Sequence, residues 1–432
     1  MQTTVVSEEN RFSLAKSWFV WVCAALFYGY QFLLRVSPNV MTTELMDAFS
    51  IDGCSLGTLT GLYYYGYASF QVPGGALVDR FGARKVLTVA ALFCAVGVLL
   101  FSMATSVYVA GLGRFIIGAG SAFGFLSCLK TGTSMFPPHK LPLVIGMTLF
   151  LGIMGAISAG KPLVYLIDLV GWRTALWVLA SLGLVIAAIA LAFVDTEPAP
   201  PLKKYILSHH HDNIQKLGIL EGIALIVKKP QTWILALYGM LLYVPLSGFA
   251  DLWAVPFFEI KYNLSREAAS DAVTALYIGM GLGAPSVNWM VNYFKSYKCN
   301  LYLAAVLPLI LLSFVIYVPV EWVGYNLLLV LLFTSGFFLG SQFLIFTVIC
   351  EMNPLSVSST AGGFLNMMCM TSGVVFQPFI GKLLDMNAEN LLEGGIHHYT
   401  IENFLVAMIT IPAALLGGTL LLPFIKEVYG KD

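Results

Sequence analysis

The amino-acid sequence predicts an all-α membrane protein in which twelve transmembrane helices form two pseudo-symmetric six-helix bundles. The chain has 432 residues, of which 58% are hydrophobic and only 11% are charged. A soluble domain would carry nearer ~25% charged residues, so this composition excludes a water-soluble fold. The net charge is zero, which argues against nucleic acid as a partner and makes the position of each charge informative.

Twelve apolar segments are each long enough to cross a hydrocarbon core of ~30 Å. They begin near Trp18, Cys54, Val86, Tyr108, Leu141, Trp172, Thr232, Ala272, Leu301, Trp322, Ser356 and Asn403. One long polar stretch, rich in proline, lysine and histidine, separates the first six segments from the last six. We therefore predict an N-terminal bundle over residues 1–194, a linker over 195–231 and a C-terminal bundle over 232–432.

The distribution of lysine and arginine predicts the orientation in the membrane. Most of these 23 residues flank the apolar segments on the side that holds both termini and the linker. Positively charged loops stay in the cytoplasm, so both termini and the linker are predicted to be cytoplasmic. The N-terminal region lacks a cleavage-site pattern, and we expect the first helix to be retained. These features indicate a multi-pass protein of a bacterial cytoplasmic (inner) membrane, surrounded by lipid bilayer and complete as a monomer.

The sequence shows no pattern typical of a metal site or of catalysis. The seven cysteines lie singly within or at the ends of apolar segments, and we expect them to be small core residues. An intramembrane enzyme would need a catalytic constellation, but the chain has no HExxH, no GxSxG and no paired carboxylates on one segment. We therefore expect no catalytic residue, no metal and no cofactor.

The two halves of the sequence resemble each other after a shift of 216 residues. This shift places Pro138 on Pro354 and, within apolar segments, Arg35 on Asp251. A duplicated bundle whose faces oppose each other across a pseudo-two-fold axis is typical of a central site reached by alternating access.

Arg35 lies within the first apolar segment, where a cation at the centre of a lone helix costs roughly 2.5–3.5 kcal/mol. Gln31, Arg35 and Asn39 are spaced at i, i+4 and i+8, so a helix would present them as one polar stripe. We expect this stripe to line a cavity in which Arg35 and Gln31 bind substrate. The alternative is that Arg35 belongs to a buried structural ion pair.

Asp251 is a lone acid within the seventh apolar segment, where it must be paired, protonated or hydrated. Tyr243, Ser247 and Asp251 form the stripe that corresponds to the one on the first segment. Desolvation favours a protonated carboxyl, which suits a proton carrier, whereas a nearby Arg35 favours the ionised form. Asp251 is therefore either a proton-coupling residue or the structural counter-ion of Arg35.

Five further polar residues are candidates on weaker grounds. Tyr28, Gln71 and Asn366 place polar groups within apolar segments and could contribute to substrate binding. Lys130 and Glu351 lie near the cytoplasmic ends of the fourth and tenth segments and could close a gate there. Lys130 could instead extend its amine to the membrane interface.

The stretch GALVDRFGARK, over residues 75–85, resembles the signature loop of the major facilitator superfamily. In that family the aspartate and arginine are thought to hold cytoplasmic helix ends together in the outward-facing state. The resemblance therefore implies gating roles for Asp79, Arg80 and Arg84. Arg114 with Gly118 and Gly120 resembles the fourth-segment motif of the same family, for which a packing role and a proton-relay role are both open.

The stretch YGYASFQVPG, over residues 65–74, looks like transporters of small organic anions, the anion:cation symporters. Arg35 is similar in placement to an arginine of organophosphate antiporters, but those carry a second-segment lysine where this chain has Gln71. The glycine–proline core of drug/proton antiporters is missing from the fifth segment, which counts against efflux.

The resemblance implies a secondary active transporter that works by alternating access. We expect proton-coupled import of a small carboxylate-bearing or zwitterionic metabolite, such as an amino acid, a short peptide or an organic acid. An exporter of small metabolites and an organophosphate or anion exchanger are the alternatives.

Overall fold

The computed structural model describes residues 2–136, 140–194, 219–354, 357–386, 388 and 399–427. For residues 2–14 and a few others, Asp79 among them, only the backbone is described. The part of the chain so described contains helices joined by short turns and no β-strand.

The helices of the first half are α1 (Gln2–Val36), α2 (Thr42–Phe49), α3 (Gly53–Met103), α4 (Val107–Ser121), α5 (Phe123–Met135), α6 (Leu141–Ser158), α7 (Lys161–Val170) and α8 (Trp172–Phe193). Those of the second half are α9 (Ile219–Val227), α10 (Pro230–Leu242), α11 (Ala254–Tyr262), α12 (Arg266–Phe294), α13 (Tyr297–Tyr317), α14 (Tyr325–Gly340), α15 (Leu344–Glu351), α16 (Ser358–Met386), α17 (Ile401–Ala407) and α18 (Thr410–Leu421). A π-helix (Pro245–Trp253) joins α10 to α11, and short 3-10 turns span Ser37–Val40, Val320–Trp322, Ser341–Phe343 and Leu422–Phe424.

Ten helical segments of the described chain are long and apolar enough to cross a membrane. The first part of α3 and the whole of α12 complete the predicted twelve spans. Both pack across the interface between the halves, α3 against α16 and α12 against α6, which explains why they are less apolar than spans that face lipid. The predicted all-α fold of two six-helix bundles is confirmed.

The signature stretch over residues 75–85 contains the connection between the second and third spans, and this connection is very short. Helix α3 continues through Phe81 and bends at Gly82, whose φ of 79° and ψ of 155° lie outside the helical region. Glycine takes this positive φ without the steric cost that a side chain imposes. The range Gly53–Met103 therefore comprises two helices, the second and third spans, which meet at Gly82, and Asp79 and Arg80 lie in the last turn of the first of them.

The two halves touch at one end of the molecule and separate at the other. We call the end where α8 finishes and α10 begins the linker end, and the end where α3 begins the distal end. Near the distal end, a Cβ added to Gly57 would lie 2.3 Å from the carbonyl oxygen of Gln377. On the same helix faces nearer the linker end, Gly75 and Gly363 have no heavy atom within 4 Å of an added Cβ. The interface between α3 and α16 therefore opens toward the linker end.

Close helix packing predicts a sharp contrast between two glycines of α6. A Cβ on Gly155 would lie 1.9 Å from the carbonyl oxygen of Gly29 in α1, whereas a Cβ on Gly146 meets no atom within 4 Å. We expect Gly155→Ala to force the helices apart and destabilise the protein by about 1–3 kcal/mol, as overpacking does. Gly146→Ala should be neutral or slightly stabilising. Thermal unfolding in detergent measures both, and equal melting temperatures would contradict the packing argument.

Candidate functional site

Asn39 does not lie on the predicted stripe, because α1 ends at Val36. Pro38 has no backbone N–H, and the chain passes into the 3-10 turn that contains Asn39. The Asn39 side-chain amide donates to the carbonyl of Ala250 at 2.6 Å, and its oxygen accepts from the backbone N–H of Val255 at 3.1 Å. Asn39 therefore joins the two halves through backbone groups of the seventh span.

Arg114 replaces a hydrogen bond that the end of α1 lacks. In a continuing helix the carbonyl of Leu34 would accept from residue 38, but Pro38 has no N–H to donate. Nη1 of Arg114 donates to this carbonyl at 2.9 Å, and the hydroxyl of Ser37 donates to it at 3.0 Å. The Arg114 guanidinium also lies 5.2 Å from the ring centre of Tyr63. Arg114 thus fixes the turn of α1 that carries Arg35.

Asp251 lies in the π-helix at the centre of the molecule, where its side chain is fully buried. π-helices are rare and are frequently found at functional sites. Nε of Arg35 lies 3.1 Å from Oδ2 of Asp251. The hydroxyl of Tyr64 donates to Oδ2, and the hydroxyl of Tyr277 donates to Oδ1. Both oxygens of the Asp251 carboxylate therefore accept a hydrogen bond from a tyrosine of another helix.

Arg35 is buried, and its guanidinium does not use all of its hydrogen-bond donors. Its Nη1 donates to the hydroxyl of Tyr243 at 2.9 Å, and its guanidinium lies 4.1 Å from the ring centre of Phe32. Nη2 has no hydrogen-bond partner among the described residues. A buried guanidinium donor without a partner is costly, so a group that accepted from it would be bound favourably.

The buried charges do not balance. Within the described residues, the buried charged side chains are those of Arg35, Arg114 and Asp251. Two guanidinium groups and one carboxylate leave one excess positive charge at membrane depth. Charge in this environment is expensive unless an opposite charge compensates it. The site is therefore suited electrostatically to an anion.

The other predicted substrate-binding residues are buried or half-buried polar and aromatic side chains. Oε1 of Gln31 accepts a hydrogen bond from the hydroxyl of Tyr63 at 2.8 Å. The amide nitrogen of Gln31 and Oε1 of the buried Gln71 have no hydrogen-bond partner in the described chain. The ring of Tyr28 packs edge-on against Phe32 with a centroid separation of 5.1 Å. Asn366 is half-buried on α16, within hydrogen-bonding reach of Tyr67.

The gating candidates lie toward the linker end. Arg80 is exposed, and the side chain of Asp79 lies outside the described structure. Nε of Arg84 donates a hydrogen bond to the carbonyl of Leu191 at 2.6 Å. Lys130 is half-buried on α5. The carboxylate of Glu351 accepts a hydrogen bond from Tyr297 of the same half at 2.7 Å.

Two tyrosines that contact Asp251 were not predicted as site residues. The sequence favours a packing role for Tyr64, which stands in a run of tyrosines, and Tyr277 was not singled out. A polar stripe on α12, with Ser270, Thr274 and Tyr277 at i, i+4 and i+7, is the signal that could have identified Tyr277. Among the described residues, no group of three or more His, Cys, Asp or Glu side chains is placed to hold a metal ion.

The sequence profile described as Major Facilitator Superfamily matches residues 20–378. The chain is 27% identical to the probable sulfoacetate transporter SauU of Cupriavidus necator, over a region that covers 37% of each chain. It is 24% identical to the gentisate transporter of Corynebacterium glutamicum, over 84% of this chain and 79% of that one. Its fold is similar to the crystal structure of a bacterial homologue of the human lysosomal transporter Spinster in an inward-facing, unoccupied conformation. That similarity has a TM-score of 0.71, 15% identity and 95% coverage of both chains.

Proposed function

Because the chain belongs to the major facilitator superfamily and is a multi-pass membrane transporter, not an enzyme, we propose that its cargo is a small organic anion, imported together with protons. The observation that carries this proposal is the excess positive charge of the buried site, where two arginines accompany one aspartate. A carboxylate or sulfonate could accept from Nη2 of Arg35 and compensate the excess charge. Gentisate and sulfoacetate, named for two relatives, are organic anions of this kind.

The same geometry disfavours a zwitterionic cargo. An amino acid or peptide needs an acceptor for its ammonium group as well as a donor for its carboxylate. The buried carboxylate of Asp251 already receives hydrogen bonds from Tyr64 and Tyr277 and contacts Arg35. A third cation beside two arginines would add to an existing repulsion. We therefore place organic acids ahead of amino acids and peptides.

Competition for Arg35 supplies a mechanism for coupling. An anion bound at Nη2 of Arg35 would share the guanidinium charge with Asp251 and so weaken the attraction between Arg35 and this buried carboxylate. A desolvated carboxylate without a cation takes up a proton more readily. Binding of the anion and protonation of Asp251 would therefore assist each other, and Asp251 would carry the proton.

The opening toward the linker end corresponds to an inward-facing state if the linker is cytoplasmic, as the lysine and arginine distribution predicts. In this proposal Asp79, Arg80 and Arg84 close the linker end in the opposite state, with Lys130 and Glu351 as further gating residues. Gln31, Tyr28, Gln71 and Asn366 line the substrate site. Each chain contains a complete site, so a monomer suffices for transport.

Counterflow into proteoliposomes tests the cargo class directly. We expect labelled gentisate or sulfoacetate to exchange across the membrane, whereas neutral amino acids and sugars should not. A ligand at a hundred times its Kd should also add about 2.7 kcal/mol to the stability of the purified protein. Arg35→Gln is the matched control, because it removes the anion-binding donor. Stabilisation by amino acids or sugars alone would overturn the proposal, and counterflow without any response to a pH gradient would indicate an anion exchanger.

A further inference from the structure

Asp385 of one half caps the beginning of a helix in the other half. Its Oδ1 accepts from the backbone N–H of Gly53 at 3.0 Å, and its Oδ2 accepts from that of Cys54 at 2.7 Å. These are two of the N–H groups that the start of a helix leaves without partners. The next one, on Ser55, is bonded within its own half by Asp52 at 2.8 Å. The start of α3 is thus completed only while α16 is docked on it.

Tyr399 strengthens this contact from the loop before α17. Its hydroxyl donates to Oδ1 of Asp385 at 2.5 Å and accepts from the backbone N–H of Gly53 at 2.7 Å. Burial is the largest influence that raises the pKa of the Tyr399 phenol, so the hydroxyl keeps its proton and remains a donor. We call the Asp385 carboxylate, the Tyr399 hydroxyl and the amides of Gly53 and Cys54 the distal clamp.

Glycine lets the backbones approach closely enough for the distal clamp to form. A Cβ on Gly381 would lie 2.1 Å from the carbonyl oxygen of Gly53, and α3 and α16 are therefore in direct backbone contact. The other ion pairs across the halves at this end, Arg266 with Glu44 and Lys161 with Asp271, have partly exposed side chains. Solvent screens the Lys161–Asp271 pair most, so it contributes less than the partly buried carboxylate of Asp385, which two backbone amides hold.

We propose that Asp385 and Tyr399 are gating residues of the transport cycle, which hold the distal end closed and separate from α3 each time that end opens. The antiparallel arrangement of α3 and α16 supports this role. Asp385 lies near the end of α16 and meets the start of α3, while Asp79 lies at the corresponding place near the end of the second span. One carboxylate is thus available for each end of the same helix pair. The proposal rests on the alternating-access mechanism and is independent of the cargo and of the coupling ion.

Asp385→Asn tests the distal clamp in the full-length protein, because an amide group cannot accept hydrogen bonds through both of its atoms. Spin labels at Asp47 and Glu402, which are exposed at the distal end in opposite halves, report the separation of the halves in nanodiscs. In a background without native cysteines, we expect the widely separated population to rise about tenfold, since two charge-assisted hydrogen bonds are weakened. Tyr399→Phe should shift the distribution less, in the same direction.

Asp271→Asn is the matched control, because it neutralises a carboxylate that also pairs across the halves but is 38% exposed. We expect its distance distribution to match that of the wild type. A wild-type distribution for folded Asp385→Asn would overturn the proposal, and if that variant fails to fold, a wild-type distribution for Tyr399→Phe would overturn it. Neither measurement uses a substrate or a pH gradient, so the result is separate from any failure of the proposed cargo or coupling.

Discussion

The double variant Arg35→Gln with Asp251→Asn is expected to fold as well as the wild type and to bind and transport no organic anion. Removing one partner of a buried pair leaves the other without its counter-charge, which costs about 3–5 kcal/mol, whereas removing both leaves the net buried charge as it is in the wild type. Each single variant should therefore melt at a clearly lower temperature than the double variant. Thermal unfolding measures stability, and counterflow measures transport.

A functional pair and a structural pair differ in what the double variant recovers. If Arg35 and Asp251 only hold the bundles together, removing both charges of the pair restores both stability and transport. If they bind cargo and proton, it restores stability alone, which is the result we expect. The double variant also shows whether the two substitutions are coupled, because the free energies of unfolding of contacting residues do not add.

Asp251→Asn alone is expected to keep counterflow of the organic anion and to lose accumulation driven by a pH gradient, by at least about tenfold. Counterflow needs no net movement of protons, whereas accumulation needs a group that takes up a proton with the cargo. The variant should be less stable than the wild type when empty, because Arg35 has lost its only carboxylate partner among the described residues. A bound anion should restore much of that stability.

Asp271→Asn is the control for this measurement, since it neutralises an exposed acid and should keep both activities. Wild-type accumulation by Asp251→Asn would remove Asp251 from the coupling mechanism. Arg35 would then remain as an anion-binding residue whose role does not depend on protons.

The spans and the opposed charges could be predicted because few physical rules determine them. Apolar length identifies most spans, and charges within those spans are so rare that Arg35 and Asp251 stand out at once. The repeat then pairs the two residues, and the structure places them in contact. A gating role for Asp79, Arg80 and Arg84 stays a prediction, and the connection that carries the signature stretch is a break between two helices at Gly82.

Other features depend on direction and on local backbone geometry, which hydropathy does not encode. Asn39 does not lie on the predicted stripe because the helix ends before Pro38. A count of helical positions does not detect where a helix ends. Tyr277 meets Asp251 where the seventh span forms a π-helix, which a count of α-helical positions does not predict. Asp385 was not predicted as a functional residue, because the sequence does not show which helix begins beside it.

The three buried charged side chains also determine how the proposed transporter would respond to membrane voltage. Asp251 carries the only buried carboxylate among the described residues, so the buried site would take up one proton. One proton would then accompany one monovalent anion, and the cycle would be electroneutral. The empty site and the fully loaded site would then carry the same single positive charge through the field. A charge that crosses the whole membrane gains or loses about 2.3 kcal/mol per 100 mV. An interior-negative potential would drive no accumulation, but it would hold the resting carrier open to the cytoplasm.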